Sequence, residues 1–342
     1  MRPRLVIPQG DAGGIGPEVA LKVLASPELR RRARPLLLGH LEPLRELAAR
    51  LGLDLELAPV ADTGSGFGLA DAATSPLPVL ELESPEPPAD ALLGRPHASF
   101  GAAAVEAVLR AGSMCLAGEA DAMVTPPIHK ESMHLAGYSF EGQTQMLGEL
   151  ARSRRYGMLA CAGELRVLLA SRHLPLAEAV ARLDVDGVAK QLRIAHEAAR
   201  DLLAVDEPRI ALAALNPHAG EGGAFGDEEE RILRPAIEKV RSDFGWTTHG
   251  PAVPDVVFAE GAAGRWDVVV ALYHDQGFIP LKMLPRDQAW TLLVGTPILR
   301  TSPMHGAAYD LVGRNEADPA PLAFAVDRAL ELAARRAAVA RQ

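Results

Sequence analysis

The feature that most constrains the fold is a regular alternation of short apolar runs with longer amphipathic segments. RLVIP and RPLLLGH are typical of buried strands, and the segments that follow them, PEVALKVLAS and LEPLRELAARLG, have helical periodicity. The same order returns later, where RIALAALNPH and WDVVVALYHDQG alternate with GVAKQLRIAHEAARDLL and DEEERILRPAIEKVRSDF. Strands that alternate with helices in this way predict an α/β fold with a largely parallel sheet.

The length predicts one large or two medium domains, and the strand pattern favours a boundary near residues 126–130. At 342 residues the chain exceeds the size that one hydrophobic core usually serves. We expect residues 1–126 and 296–342 to form a first α/β domain and residues 127–295 to form a second. The segment from about residue 54 to 95 is rich in Pro, Asp and Ser, and we predict an irregular excursion whose strand-like part is PLPVLELES.

Composition narrows the class of partner. The formal net charge is −9, and Lys and Arg are scattered instead of clustered, so we expect neither a nucleic-acid nor a membrane partner. No run of about 18 uncharged apolar residues is present, and the apolar run near the start is too short for a signal peptide. Two cysteines, Cys115 and Cys161, are too few for a disulfide framework, which suits a reducing cytoplasm. The composition therefore predicts a cytoplasmic protein.

Three predicted strands end in histidine: LRVLLASRH at His173, ALAALNPH at His218 and VVVALYH at His274. A single histidine in such a place is more often a structural hydrogen-bonding group than a metal ligand. The carboxyl ends of parallel strands share one edge of a sheet, however, so three imidazoles there suggest an open, catalytic metal site. Imidazole favours zinc, with cobalt, nickel, manganese, iron and magnesium as alternatives. Spacing leaves open whether one subunit or two supply these ligands.

Other segments carry candidate ligand-binding groups. NPHAGEGGAFGDEEE is predicted as a loop before a helix, where either a ligand or an ordinary flexible connection would account for its four glycines. GDAGGIGPEVALK superficially resembles a dinucleotide-binding fingerprint, but the acidic residue expected at the end of the second strand is absent. TPPIHKESMHLAGYSFEGQTQML, which includes Gln143 and Thr144, is predicted to contain a polar loop, and either an anionic substrate or plain solvation would account for it. Lys282, and Arg300 at the end of the predicted strand TLLVGTPILR, would match a carboxylate or phosphate, which predicts a small acidic substrate.

Several motifs, taken in order, resemble the 4-hydroxythreonine-4-phosphate dehydrogenase family of pyridoxal phosphate biosynthesis: GDAGGIGPE, TPPIHK, RHLPL, LNPHAGEGG, YHDQG and RTSPMHGAA. This resemblance implies an α/β fold similar to that of isocitrate and isopropylmalate dehydrogenases, with the active site in the cleft between two α/β domains. It also implies a homodimer that oxidises a secondary alcohol with NAD and removes a β-carboxylate. His173, His218 and His274 would bind a divalent metal, with His274 reaching the site of the neighbouring subunit. The second domain would then carry the metal ligands and the dimer interface.

The resemblance assigns the remaining site residues as well. The expected catalytic residues are Lys282, Asp275 and Asp255. HGAAYDLVGRNEADP is similar to an adenosine-binding loop, and its candidate NAD contacts are His305, Gly306, Ala308, Asp310 and Asp318. The expected substrate contacts are Gln143, Thr144, Lys282, Thr291 and Arg300.

Three positions depart from the family pattern. Gln143 stands where the biosynthetic members have a histidine, Thr291 where they have an asparagine, and Met304 where they have an acidic residue before the cofactor loop. The catalytic set is therefore expected to be intact and the substrate pocket altered. This leaves open 4-phosphohydroxythreonine, a sugar-acid phosphate, or an unphosphorylated acid such as the dihydrodiol made from terephthalate. A phosphate acetyltransferase-like transferase and a non-catalytic binding protein are alternatives from other classes, which a titration with NAD would distinguish.

Overall fold

The computed structural model describes residues 2–71, 76–87 and 93–339. The strands are β1 (Arg4–Pro8), β2 (Arg34–Gly39), β3 (Leu57–Val60), β4 (Leu77–Glu81), β5 (Ala122–Val124), β6 (Gly157–Ala162), β7 (Leu165–Leu169), β8 (Ile210–Ala213), β9 (Thr248–Ala252), β10 (Val268–Ala271), β11 (Ala289–Val294) and β12 (Arg300–Pro303). The α-helices are α1 (Gly16–Leu24), α2 (Pro27–Arg32), α3 (Leu41–Arg50), α4 (Thr63–Leu69), α5 (Ala98–Leu116), α6 (Lys130–Leu135), α7 (Gln143–Leu150), α8 (Leu176–Ala181), α9 (Val185–Asp201), α10 (Arg234–Phe244), α11 (Pro254–Ala262), α12 (His274–Lys282) and α13 (Ala320–Val339).

The first of two compact units comprises Met1–Ser153 and Thr296–Gln342. Its strands run parallel in the order β3-β4-β2-β1-β5-β12. β1 and β2 are apolar and almost wholly buried, as expected of parallel strands covered by helices on both faces. β2, β4 and β3 lie on one side of β1, whereas β5 and β12 lie on the other side. Open α/β sheets bind ligands at the carboxyl ends of the two strands, here β1 and β5, between which the strand order reverses.

The second unit comprises Arg154–Gly295, with strands in the order β11-β6-β7-β10-β8-β9. β6 runs antiparallel to both β11 and β7, whereas β7, β10, β8 and β9 run parallel to one another. The carboxyl ends of β7, β10 and β8 consequently lie side by side at one edge of the sheet.

The predicted α/β fold is confirmed, and the boundaries of the units differ from the predicted domains at one point. The chain returns to the first unit at Thr296, where the sequence pattern also put the return. It leaves that unit after Ser153 instead of after residue 126, because α6 and α7 both pack against α5.

The prediction of irregular chain from residue 54 to 95 is wrong for much of its described part, which contains β3, α4 and β4. β3 includes Pro59, which an edge strand tolerates because its N–H groups need no partner on one side. α4 contains three glycines but is capped by Asp62, whose carboxylate accepts a hydrogen bond from the N–H of Ser65 at 2.7 Å. Residues 72–75 and 88–92 of this segment lie outside the described residues.

The stretch TLLVGTPILR is also divided differently from the prediction. Its first half belongs to β11, and Arg300 begins β12 instead of ending a strand. Gly295, with φ of 76°, ends β11; a Cβ there would lie 2.2 Å from the carbonyl oxygen of Arg155. The close backbone approach and the positive φ both require glycine at this turn.

Helix α5 is the one helix in the described part of the chain that is long and apolar enough to cross a membrane by length and composition. More than half of the relevant window, 56%, is buried inside the structure, including Phe100, Val105 and Val108. The core helix of a globular unit satisfies the same criterion, and α5 packs in that way against β1, β2 and β5.

Candidate active site

The three candidate metal ligands follow three adjacent strands of the second unit. His173 lies beyond the end of β7, His218 beyond β8 and His274 beyond β10. Because β10 pairs in parallel with both β7 and β8, these strand ends lie at one edge of the sheet. The ring centroids of His173 and His274 are 5.7 Å apart. The fold therefore brings two of the three predicted imidazoles close together.

His274 is oriented by its neighbour in the sequence. It begins helix α12, three residues after β10 ends at Ala271, and its Nδ1 lies 2.7 Å from Oδ1 of Asp275. An ionised carboxylate can only accept, so in a neutral His274 the proton lies on Nδ1 and Nε2 keeps its lone pair. Carboxylate–histidine pairs of this kind orient imidazole ligands in metal sites. Asp275, predicted as a catalytic residue, contacts His274 in this structure.

His218 lies in a left-handed turn. Residues 218–222 have φ values between 41° and 79°. His218, Ala219 and Glu221 adopt this conformation without being glycine, at a cost of roughly 1–2 kcal/mol each. A backbone held in such a sparsely populated conformation is frequent at binding sites, where the surrounding structure maintains it.

Glu229 holds this turn. Its buried carboxylate accepts hydrogen bonds from the N–H groups of Leu215 and Asn216, at 2.9 and 2.8 Å. The Asn216 side chain also donates to it, at 2.9 Å, and a Cβ at Gly220 would lie 2.9 Å from its Oε2. The sequence predicted only a loop before a helix here, and this role of Glu229 was missed. The only signal in the sequence was a glutamate shortly after a glycine-rich loop. Such a glutamate can either hold the loop by hydrogen bonds or lie at the start of the next helix as a favourable charge, and the sequence does not distinguish these roles.

The imidazole groups at this edge of the sheet are suitable ligands for a divalent cation. Within the described residues, however, His173, His218 and His274 do not form a complete three-histidine site. In the described part of the chain, no group of three His, Cys, Asp or Glu side chains could hold a metal ion. Nδ1 of His218 lies 3.1 Å from Oε2 of Glu221 instead. Imidazole nitrogens at one sheet edge, one of them in a fixed tautomer, are nevertheless the ligands that zinc and its neighbours prefer. The three-histidine site and its completion by a second subunit stay predictions.

The other site residues of the second unit lie on three elements. Lys282 ends α12 and is exposed, with Nζ 6.0 Å from the ring centre of Phe278. Asp255 is exposed in the first turn of α11, which packs against α12. Thr291 is buried within β11. Their predicted roles stay predictions.

Arg300 is a buried cation of the first unit. The residue is 4% exposed, and its Nε donates to Oγ1 of Thr125 at 2.8 Å. Over the residues that the structure describes, no carboxylate forms an ion pair with it, and burial lowers the pKa of Arg300 to about 9. Because buried charges in folded proteins are normally paired, a guanidinium of this kind indicates a binding site for an anion.

Gln143 and Thr144 begin helix α7 in the same unit. Gln143 is buried, and its Nε2 donates to the carbonyl oxygen of Pro126 at 3.0 Å. Thr144 is partly exposed. Since Thr125 and Pro126 are consecutive, the Arg300 guanidinium and the Gln143 amide are both attached to the loop that follows β5.

A further polar cluster of the first unit was not singled out from the sequence. Buried Asp11 accepts hydrogen bonds from the N–H of Gly13 at 2.8 Å and from the hydroxyl of Tyr309 at 3.0 Å. That hydroxyl also lies 2.9 Å from Oγ of Ser132, and the ring of His129 stacks on Tyr309 with centroids 4.5 Å apart. Burial raises the pKa of Asp11. The cluster connects the loop after β1 to the predicted cofactor loop.

The predicted cofactor loop, residues 305–319, is attached to helix α1 at its far end. Nζ of Lys22 donates to the carbonyl oxygen of Ala317 at 2.9 Å, and the N–H of Ala317 donates to Glu18 at 3.0 Å. Asp318 accepts from the N–H of Ala320 at 2.9 Å at the start of α13. This observed role of Asp318 is structural.

A cavity of about 340 Å³ lies beside this loop. Its lining includes Gln9, His40, Leu44, Val312, Gly313 and Asn315. The volume lies at the lower end of the roughly 300–1,000 Å³ typical of small-molecule sites. The predicted contacts His305, Gly306, Ala308, Asp310 and Asp318 are not among the residues that line it. The cavity therefore does not test the NAD contacts predicted for this loop, which stay predictions.

Comparisons with known proteins identify relatives over most of the chain. The family model described as "Pyridoxal phosphate biosynthetic protein PdxA" matches residues 31–329. The 4-hydroxythreonine-4-phosphate dehydrogenase of Desulfosudis oleivorans is 40% identical over 337 residues, covering 97% of each chain. The D-threonate 4-phosphate dehydrogenase of Salmonella typhimurium is 36% identical over 330 residues, covering 96% of this chain and 98% of its own.

Two solved structures are similar over nearly the whole chain. The 4-hydroxythreonine-4-phosphate dehydrogenase of Klebsiella pneumoniae has a TM-score of 0.83 at 33% identity, covering 97% of this chain and 99% of its own. The terephthalate 1,2-cis-dihydrodiol dehydrogenase of Burkholderia xenovorans has a TM-score of 0.63 at 30% identity, covering 96% and 98%. All four relatives are dehydrogenases by name, and their names include both phosphorylated and unphosphorylated substrates.

Proposed function

Because the chain belongs to the family of the pyridoxal phosphate biosynthetic protein PdxA, we propose that it is an NAD-dependent and divalent-metal-dependent dehydrogenase. In this proposal it oxidises a hydroxy acid and releases its β-carboxylate as CO2. The observation that carries the proposal is the position of His173, His218 and His274 after three adjacent parallel strands.

The residues of this chain would each act on a defined part of the substrate. Arg300 would bind an anionic group, because its buried guanidinium lacks a carboxylate partner in the described structure. Asp275 would hold His274 with Nε2 directed to the metal. When bound, the metal supplies Lewis-acid stabilisation of an oxygen and NAD accepts a hydride. Lys282 would deliver the proton that replaces the departing carboxylate, and Asp275 and Asp255 would support this transfer.

The substrate class is the finer part of the proposal. Relatives named for 4-hydroxythreonine 4-phosphate and D-threonate 4-phosphate support a phosphorylated hydroxy acid. The relative named for a terephthalate dihydrodiol, together with the departures at Gln143 and Thr291, supports an unphosphorylated acid. Thr144 would contribute to the same substrate pocket.

We also propose a homodimer with a shared site, in the cytoplasm. Ile279 and Met283 on or just after α12 are 61% and 82% exposed, and Val256 on the adjacent α11 is 49% exposed. Large apolar side chains with this exposure, beside His274 and Asp255, would be buried by a second copy of the chain. Such an interface is consistent with a metal ligand that serves the neighbouring subunit.

Titrating the metal-loaded protein with NAD tests the proposal against the transferase alternative. A dehydrogenase binds NAD and NADH saturably, whereas a phosphate acetyltransferase-like enzyme binds acetyl phosphate or coenzyme A. Calorimetry that detects binding of acetyl phosphate and no binding of NAD would reject the dehydrogenase proposal.

A further inference from the structure

The orientation of the Gln143 amide is fixed by its surroundings. Its Nε2 donates to the carbonyl oxygen of Pro126 at 3.0 Å, and the residue is only 9% exposed. A backbone carbonyl can only accept, so the amide nitrogen, and not the amide oxygen, must face Pro126. The amide oxygen therefore points away from the Pro126 carbonyl.

That oxygen has no hydrogen-bond donor within the described structure. Oε1 of Gln143 is buried and unpartnered. A buried acceptor without a donor is unfavourable, and such groups are rare in native proteins unless a ligand or water satisfies them. A ligand that satisfies this oxygen would supply an O–H or N–H group.

A cation is attached to the same loop. Arg300 donates to the side chain of Thr125, and Gln143 donates to the carbonyl oxygen of Pro126. The dipeptide Thr125–Pro126 thus joins a buried guanidinium without a carboxylate partner to a buried amide oxygen without a donor. One subsite favours an anion, and the other favours a hydrogen-bond donor.

We propose that Gln143 selects an unphosphorylated hydroxy acid, whose hydroxyl or ammonium group donates to Oε1 while its carboxylate binds Arg300. This inference rests on the proposed function and specifies its substrate class. A phosphate dianion presents only acceptor oxygens, so at the Gln143 position it would face another acceptor. A protonated histidine in this place would instead offer an N–H and a positive charge.

Binding of a matched ligand pair tests the proposal. Calorimetry with metal-loaded protein in the presence of NAD would compare 4-hydroxythreonine with its 4-phosphate, and threonate with its 4-phosphate. We expect wild type to bind the unphosphorylated member at least tenfold more tightly. Gln143→His should lower this ratio by about ten- to a hundredfold, since charge-assisted hydrogen bonds are the stronger ones. The effect should be larger at pH 6 than at pH 8.

Two further variants separate this role from a structural one. Gln143→Met keeps the side-chain length without the acceptor, and it should weaken the unphosphorylated ligand roughly tenfold without weakening the phosphorylated one. Gln145→His is the matched control on the same helix. Gln145 is already paired with the N–H of Glu141 and with Glu149, so this change should not alter the ratio.

The outcomes of this experiment are distinct from those that test the dehydrogenase proposal. Tighter binding of the phosphorylated ligand by wild type, or a ratio that Gln143→His leaves unchanged, would overturn the role of Gln143. No binding of either ligand would overturn it too. NADH formation is measured on the same samples. If the ratio behaves as expected but no NADH forms, the role of Gln143 stands and the oxidation is rejected.

Discussion

Replacing Arg300 with methionine should stabilise the free protein while removing its affinity for an anionic substrate. Burial lowers the pKa of Arg300 from its usual value to about 9. This is a drop of roughly 3–4 pKa units at about 1.4 kcal/mol each, so keeping the guanidinium charged inside the unit costs on the order of 5 kcal/mol at neutral pH. The folded state binds this proton less tightly than the unfolded state does. The cost is therefore complete below pH 9 and falls as the pH rises through 9.

The net gain from Arg300→Met should be smaller than this cost. Thr125 loses its hydrogen-bond partner. Replacing even a paired buried charge by apolar side chains is often neutral or stabilises by about 1–4 kcal/mol. We expect a gain in that range in the free energy of urea-induced unfolding at pH 7, measured without ligand. Added substrate should stabilise wild type and not the variant, because only wild type binds it.

Arg34→Met is the matched control. Arg34 begins β2 as Arg300 begins β12, but its Nε lies 2.9 Å from a carboxylate oxygen of Asp71 and 3.0 Å from the carbonyl oxygen of Phe67. Removing this paired arginine should lower the free energy of unfolding by about 1 kcal/mol or more. An equal loss for Arg300→Met would refute the argument, since it would mean that the Arg300 charge is compensated in the free protein.

Three further predictions concern the second unit. His218→Ala should abolish turnover and lower bound metal measured by elemental analysis while the fold is retained; unchanged metal content and rate would exclude His218 as a ligand. Mixing inactive His218→Ala and His274→Ala proteins should restore part of the activity through mixed dimers, and no recovery after demonstrated subunit exchange would mean that all ligands come from one chain. Burial lowers the pKa of His196 to about 4, so the unfolded state binds a proton at a higher pH than the folded state does. The free energy of unfolding should therefore fall by up to about 3 kcal/mol as the pH falls from 6.5 through 4. A urea series across this range should give a flatter profile for His196→Gln, and equal slopes would contradict the prediction.

Strong periodic patterns in the sequence were sufficient to predict the architecture. Buried parallel strands such as β1, β2 and β10 are continuous apolar runs, so their existence and type could be read directly. β3 and α4 could not, because an edge strand with Pro59 and a glycine-rich helix depend on pairing and capping instead of periodicity. The boundary at Ser153 depends on how α6 and α7 pack, which local sequence does not determine.

The sequence was sufficient to predict which types of residue form the candidate site, but not which groups they hydrogen-bond to. Each of the three histidines comes shortly after an apolar strand, which the sequence shows directly. They lie at one edge because the three strands are parallel neighbours in the sheet. Glu229 and Asp11 were missed because their importance lies in hydrogen bonds to distant backbone and side-chain groups. The orphaned oxygen of Gln143 was likewise invisible, since it depends on the Pro126 carbonyl that fixes the amide.

The central claim is that oxidation of a hydroxy acid by this chain requires both NAD and a divalent metal and releases CO2. The most direct test measures NADH and CO2 together, with purified protein, NAD and a panel of phosphorylated and unphosphorylated hydroxy acids. We predict equal amounts of NADH and CO2 from at least one acid, loss of both after chelation, and recovery of both when zinc or another divalent ion is restored. NADH formation that persists unchanged in the chelated protein, or CO2 release without NADH, would contradict the account.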